Sequence, residues 1–510
     1  MSKGKVFLVS MLWLFLLGMV VFAYKIFYVP YQERAKAKAV SDQKTRILTE
    51  TGDSSRYDVQ INFAIDSFSG YSVLRSKEFA EELGYKRIKL NLVDDQANYA
   101  ERLKKLQSGE VQMAAFTVDA LIKTCGTIND LPATIVAIID ETRGADAIVA
   151  YKSAFSNVDD LNNKDLKFVV TPDSPSETLA RVVMANFNFT ALDRQNPPFL
   201  KVKDAEEVWN LYRKAKPTDK TVFVLWEPYV SKILENPNTH KVIDSSNFKG
   251  YIVDVIVVNR NFLFSNKQVV QEFVKCYFKS NYNFRNKMVD LVLEDAKGQG
   301  TPVSPKLAEA MVAGIWWKNT QENYCHFGLK LGNVQHIEDI IVNITRVLTK
   351  TGAIPKDPTN GKPNLLYHSD ILAEIDKANF HPGIEDVKND LAELPPLTEG
   401  QWKNLQPVGK LEIRQLVFAR GTDSLTEESK QTLDELAETL KTFPQYYVII
   451  KGNASTAGDI EANKALATSR AKAAETYLLE KGITKNRLRA IAVDPTGSTS
   501  VDFILGQMPY

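Results

Sequence analysis

Hydrophobic and polar positions alternate along this chain with two different periods. From Asp58 onward, short apolar runs (VQINFAI, RIKLNLV, VQMAAF) are separated by amphipathic stretches (YSVLRSKEFAEEL, NYAERLKKLQSG). The runs predict strands and the stretches predict helices. Repeated strand–helix alternation predicts a mostly parallel sheet flanked by helices. A second such region runs from DLKFVVT through TVFVLWEP to HKVIDS; YIVDVIVVN then returns as a long apolar strand, and helices dominate from Lys267 to Glu338. Two Pro/Gly-rich stretches, GAIPKDPTNGKPN and LPPLTEGQWKNLQPVG, mark a boundary. The last segment reads strand (LEIRQLVF), helix (TEESKQTLDELAETLKTFP), strand (YYVIIKG), helix (DIEANKALATSRAKAAETYLLEKG), strand (RLRAIAV).

At the start of the chain, VFLVSMLWLFLLGMVVFAY carries no charge from Val6 to Tyr24. A bilayer core takes about 20 apolar residues in a helix, so this run predicts one transmembrane helix. A signal peptide cleaved after Ala23 is the alternative, since Val21-Phe22-Ala23 fits the small-residue cleavage pattern. The length of the run and the apolar IFYV beyond Lys25 favour a retained anchor. Either reading exports the rest. The helix contains no ionisable residue, so it is expected to anchor and not to conduct protons.

Composition narrows the function classes. The 510 residues are 44% hydrophobic and 25% charged, with a formal net charge of +1. That balance argues against a nucleic-acid partner, which shows as a basic stripe. Cys125, Cys276 and Cys325 form no CxxC pair and are expected as buried hydrophobes. The five histidines are scattered without an organising motif, and adjacent Cys325 and His326 would not face each other on a helix. No enzyme activity, cofactor or metal is expected.

In IDSFSGYSVLRSKEFAEELG, Ser67 and Ser69 precede a helix predicted from Tyr71, whose free backbone amides would receive an anion or a polar ligand. With IIDETRGADAIVAYKS, DLNNKDLKFVVTPDSPSETLARVVM, FVLWEPYVSKILE and YIVDVIVVNRNFL in that order, residues 57–350 resemble the periplasmic substrate-binding proteins of ABC importers, in the group handling nitrate, sulfonates and thiamine precursors. The resemblance implies a type II two-lobed clamshell, one lobe from 57–142 with 253–345 and the other from 143–252, that closes around a small solute. It implies ligand contacts from Ser67, Ser69, Tyr71, Thr117, Asp119, Asp140 and Thr142 on one side. On the other it implies Ser174, Ser176, Trp226 and Glu227. Each has a plainer role open to it: Ser174 and Ser176 as helix caps, Trp226 as lobe packing, Asp140 as a turn cap.

The C-terminal stretches VFARGTDSL, LDELAETLKTFPQYYVIIKGNASTAG, ANKALATSRAKAAETYLLEKGI and NRLRAIAV resemble the OmpA-like peptidoglycan-binding domain, an α/β sandwich. That family grips the two charged ends of diaminopimelate with an aspartate and an arginine. By position the arginine is Arg470, the helix asparagine is Asn463, and Ser455 stands where the family has aspartate. A neutral serine removes the charged partner of the ligand ammonium, at a cost of about 1 kcal/mol or more, so weakened wall binding is expected.

The expected organisation is an anchor (1–28), a stalk (29–56), an α/β clamshell (57–350), a linker (351–404) and an OmpA-like domain (405–510). The expected protein is a single-pass bacterial inner-membrane protein with its bulk in the periplasm, binding a small solute and peptidoglycan. The alternative is an envelope scaffold whose two domains bind proteins, with no small ligand.

Overall fold

The computed structural model describes residues 56–332, 334–383, 394–492, 497 and 499–508. The expected transmembrane helix and nearly all of the stalk lie outside these. Among the described residues no helix is long and apolar enough to cross a membrane.

Two α/β lobes and a third α/β unit follow one another along the chain. The first lobe opens with β1 (Val59–Ile65), β2 (Ile88–Asp94), β3 (Met113–Thr117) and β4 (Ala133–Thr142). The chain then crosses to the second lobe, with β5 (Asp146–Tyr151), β6 (Lys167–Val170), β7 (Phe199–Lys201), β8 (Thr221–Trp226) and β9 (Thr239–Asp244). It returns as β10 (Val253–Asn259) and β11 (Ile315–Trp317). The first sheet has the order β11-β4-β10-β3-β1-β2 and the second β7-β6-β8-β5-β9. β1 runs parallel to β2 and β3, while β10 is antiparallel to β3 and β4, pairing Asp254 with both Thr117 and Asp140. Strand ends from both directions therefore converge at one edge of the first sheet, facing the second lobe.

Two details depart from the periodicity. The helix predicted from Tyr71 is broken: Ser72–Arg75 forms one turn, and a new helix, Lys77–Tyr85, starts after extended Ser76. Ser76 Oγ accepts from Phe79 N at 3.1 Å and donates to Val73 O at 2.7 Å, closing one helix and capping the next. The stretch expected as a linker is partly built into the first lobe. Ile135 N donates to Leu366 O (2.9 Å) and His368 N donates to Ile135 O (2.8 Å), which covers part of the β4 edge.

The helix Ile337–Lys350 packs against Val118–Ile128 of the first lobe and Pro175–Asn186 of the second. Its C-terminal carbonyls, unsatisfied within the helix, take donors from the second lobe. Gln195 Nε2 donates to Lys350 O at 3.0 Å and Arg181 Nη1 to Thr351 O at 2.6 Å. This helix ties the lobes together.

The C-terminal unit holds β12 (Gln406–Lys410), β13 (Tyr447–Gly452), β14 (Leu488–Ala492) and β15 (Val501–Gln507) in the order β12-β15-β13-β14. Helices Glu427–Lys441 and Ile460–Glu480 accompany the sheet. Gly452 lies against the second helix so closely that a Cβ would fall 2.1 Å from Ala467 O. The strand expected from LEIRQLVF is displaced to β12. Leu411 instead bridges Phe187, and Glu412 N donates to Asn186 O at 2.8 Å. Main-chain pairing with the second lobe overrides the local alternation there. Phe443 fills the same seam, with ring centroids 6.1 Å from Phe187 and 5.2 Å from Phe248.

Candidate functional site

Two sites emerge. In the clamshell, the first-lobe strand ends bring Tyr71, Thr117, Asp119, Asp140 and Thr142 together, all nearly fully buried. The Tyr71 hydroxyl donates to Asp254. Thr117 caps the helix Val118–Ile128, accepting from Ala120 N at 3.4 Å. Asp119 accepts from Thr178 of the opposite lobe, a direct bond across the cleft. Lys123 adds a second link, with Nζ 2.5 Å from Asp173 and 3.2 Å from Glu177. The lobes are closed on each other. Thr142 N donates to Ile252 O at 3.0 Å, where the two crossings run side by side.

On the second lobe, Ser174 accepts from Glu177 N at 3.2 Å and caps the helix Pro175–Asn186. Ser176 Oγ donates to Asp146 Oδ1 at 2.7 Å. Glu227 turns to Ser231, whose Oγ donates to it at 2.9 Å. Trp226 is half-buried at the end of β8, opposite Asp146. Ser67 is exposed, and Ser69 is half-buried with its carbonyl accepting from Ser72 Oγ at 2.6 Å. The free amides expected before the helix are not presented as a pocket. Arg75 instead gathers the carbonyls there, donating to Asp66 O at 2.6 Å and Phe68 O at 2.7 Å.

The electrostatics of the cleft are acidic. Burial pushes the Asp146 carboxyl up to about 7. Burial also raises Asp119, Asp140 and Asp254, the last further because Asp140 stands beside it. None of these four joins an ion pair among the described residues. Glu141, which is paired, behaves otherwise. Buried Lys318 lies 2.7 Å from Glu141, and although burial opposes ionisation, Lys318 and Arg143 hold Glu141 down at about 2. Asp66 is 3.0 Å from the fully buried Arg102. Sequence reasoning missed Asp66, Asp146, Thr178 and Asp254. Only Asp254 carried a signal, as a lone acid inside the apolar run YIVDVIVVN.

The second site lies at the start of the helix Ile460–Glu480. Asp459 caps it, accepting from Ala462 N at 3.0 Å. Ser455 Oγ accepts from Ala457 N at 3.0 Å, shaping the turn. Asn463 Nδ2 donates to Ser455 O (3.2 Å) and Ala457 O (2.8 Å), so it fastens that turn onto the helix. Arg470, two turns further along the same side, lays its guanidinium 4.9 Å from the Phe418 ring centroid and donates Nε to Thr422 O at 3.0 Å. Asn453 Nδ2 donates to Asp502 at 3.0 Å, Asp502 lies 3.0 Å from Lys410 Nζ, and Lys410 N donates to Asp159 of the second lobe at 3.1 Å.

Residues 417–499 match the OmpA family. Over 77 residues, 15% of this chain, the sequence is 35% identical to the peptidoglycan-associated lipoprotein of Rhizobium meliloti (strain 1021), covering 44% of that protein. It is 34% identical over 77 residues to the peptidoglycan-associated lipoprotein of Brucella suis biovar 1, covering 46% of it. The chain thus spans less than half the length of these curated relatives. The region before the OmpA domain matches periplasmic solute-binding proteins. The aliphatic sulphonate binding protein of Escherichia coli aligns with 61% of this chain and 92% of its own, at 13% identity and a TM-score of 0.46. The nitrate-binding protein of Synechocystis PCC 6803 aligns with 62% of this chain and 88% of its own, at 12% identity and a TM-score of 0.46. All three cysteines are buried and free. Among the described residues no three His, Cys, Asp or Glu side chains are grouped to hold a metal ion.

Proposed function

We propose that this is a membrane-anchored envelope protein that binds a small solute between two hinged lobes and holds peptidoglycan through its OmpA domain. The observation that carries the solute reading is the double crossing. The chain passes between the two sheets between β4 and β5 and returns between β9 and β10, with polar strand ends facing each other. Two-lobed proteins of this kind close around ligands by hinge motion. Tyr71, Thr117, Asp119, Asp140, Thr142, Ser176 and Trp226 are the side chains proposed to face the solute.

The wall reading is supported by the OmpA match and by the shared helix side of Asn463 and Arg470. Arg470 commits Nε to Thr422 O, and the guanidinium's other N–H groups are the donors proposed for a ligand carboxylate. Ser455 supplies only a neutral oxygen for an ammonium.

Sedimentation of the full-length, detergent-solubilised chain with purified peptidoglycan tests the wall reading, beside Arg470→Ala. Co-sedimentation of wild type and loss in Arg470→Ala supports it; equal behaviour of the two sinks it. Direct bonding across the cleft favours a second reading, an envelope scaffold with no small ligand. Native mass spectrometry of the purified chain separates the two, since a scaffold carries no bound small molecule.

A further inference from the structure

Four carboxylates meet in the closed cleft: Asp119, Asp140 and Asp254 from the first lobe and Asp146 from the second. They form a continuous acidic seam, because Asp119 acts electrostatically on both Asp254 and Asp146, and Asp140 acts on Asp254. Three have a protein donor: Tyr71 for Asp254, Ser176 for Asp146 and Thr178 for Asp119. Asp119 has one satisfied oxygen, bonded to Thr178, while its Oδ1 has no partner.

Asp140 is the exception that matters. It is 0% exposed, and neither carboxylate oxygen meets a hydrogen-bond donor among the described residues by ordinary geometry. What stands beside it is the carboxyl of Asp254, a group that can satisfy it only by carrying a proton. The Asp140 side chain is directed at the Ser69–Tyr71 turn, where a Cβ on Gly70 would fall 2.3 Å from its Oδ2. A buried carboxylate without a partner is costly even as an unsatisfied polar group. Apolar side chains of similar volume would avoid that cost altogether. Among the described residues no basic side chain forms an ion pair with the seam, although Lys318 and Lys123 stand close enough to act on Asp140 and Asp119. The paired cations nearby, Arg102, Lys318 and Lys123, are engaged by Asp66 and Asp95, by Glu141, and by Asp173 and Glu177.

We propose that the clamshell takes a small organic cation, one bearing primary or secondary ammonium groups whose N–H donors meet Asp140 and the Asp119–Asp146 oxygens when the lobes close. This rests on the solute-binding reading above and names its ligand class. It departs from the anion expected from the Ser67–Ser69 turn, because amides of that turn are already used internally, Phe68 N donating to Asp66 Oδ1 at 3.0 Å and Tyr71 N to Phe68 O at 3.1 Å. An ammonium ligand supplies the donors the seam lacks, whereas an anion would bring only further acceptors.

The test is made on the full-length chain in detergent at pH 7.5. Thermal unfolding and tryptophan fluorescence are followed with putrescine and spermidine as ammonium probes and choline as a cation without N–H donors. Calcium, nitrate and methanesulfonate complete the set. The expected result is a rise in Tm of several degrees with putrescine or spermidine, and little with the other four. Asp140→Asn is expected to weaken the polyamine response at least tenfold, and Asp146→Asn, at the other end of the seam, to weaken it independently if Asp140→Asn fails to fold. A response to nitrate or methanesulfonate alone overturns the cation assignment and leaves the clamshell reading standing. A response to choline or calcium equal to that of the polyamines overturns the N–H requirement. Silence from every probe, with native mass spectrometry showing no bound small molecule, overturns both. Unchanged polyamine binding in both variants makes the acids structural and overturns the proposal.

Discussion

The amide of Lys249, at the end of the second lobe, donates to the carbonyl of Thr442 in the OmpA domain at 2.8 Å. The two units therefore share main-chain bonds, and Phe443 seals the seam between Phe187 and Phe248. Phe443→Ala should cost about 3–5 kcal/mol, as expected for a large buried ring. Denaturant unfolding measures the loss. Hydrogen exchange checks its location: the Lys249 and Asn188 amides should lose protection while β1 amides keep theirs.

Asp146 makes stability depend on pH in a specific direction. Its folded value of about 7 lies above the ordinary aspartate value of 3.8, because burial disfavours the charged form and Asp119, Glu227 and Asp244 face it. The folded state binds the extra proton between those values, so this group's contribution is full below about pH 4 and is lost as pH rises through about 7. Asp146→Asn should flatten that slope, raising stability by about 1–3 kcal/mol at pH 8 relative to wild type and leaving it near zero at pH 4. Urea midpoints across that range decide the matter. A variant with an unchanged slope would mean Asp146 is ionised and partnered.

At the wall site, Ser455→Asp restores a charge where an ammonium is expected. A charge-assisted bond exceeds a neutral one by about 1 kcal/mol or more, so binding should tighten about fivefold to tenfold. Peptidoglycan sedimentation isotherms of the full chain give the ratio, with Arg470→Ala as the variant that abolishes binding.

Gly452→Ala should be poorly tolerated. The new methyl would meet the backbone oxygen of Ala467 at 2.1 Å, which cannot rotate away. The strand and helix must separate, at a cost of about 1–3 kcal/mol. A melting curve shows it, and an unchanged Tm would contradict the close approach.

Much of this architecture was legible in the sequence. The runs VQMAAF and YIVDVIVVN announce β3 and β10 because those strands are buried along their whole length, and VQINFAI announces β1, whose first half is partly exposed, by its apolar positions. Ser76 was not legible as a helix break, since its dual bond to Phe79 and Val73 competes with a helical pattern that continues through it. LEIRQLVF alternates as a strand should, yet its backbone groups pair across the domain seam, which no local pattern records. VDFILGQ, the inner strand β15, was passed over because it follows a Gly/Ser/Thr-rich stretch at the chain's end. The acidic seam was half visible. Asp119 and Asp140 sit at predicted strand ends and Asp254 stands alone in an apolar run, but Asp146 gains meaning only when the lobes come together.

The links from Asp159 through Lys410 and Asp502 to Asn453 give the molecule a mechanical character. Asn453 stands two residues before Ser455, and Asp159 belongs to the second lobe. A pull on the wall-facing turn is borne first by this short run of polar bonds and by the paired backbones of Asn186 and Glu412. Under the proposed wall attachment, load on the OmpA domain would pass directly to the second lobe, through a handful of side chains at one seam.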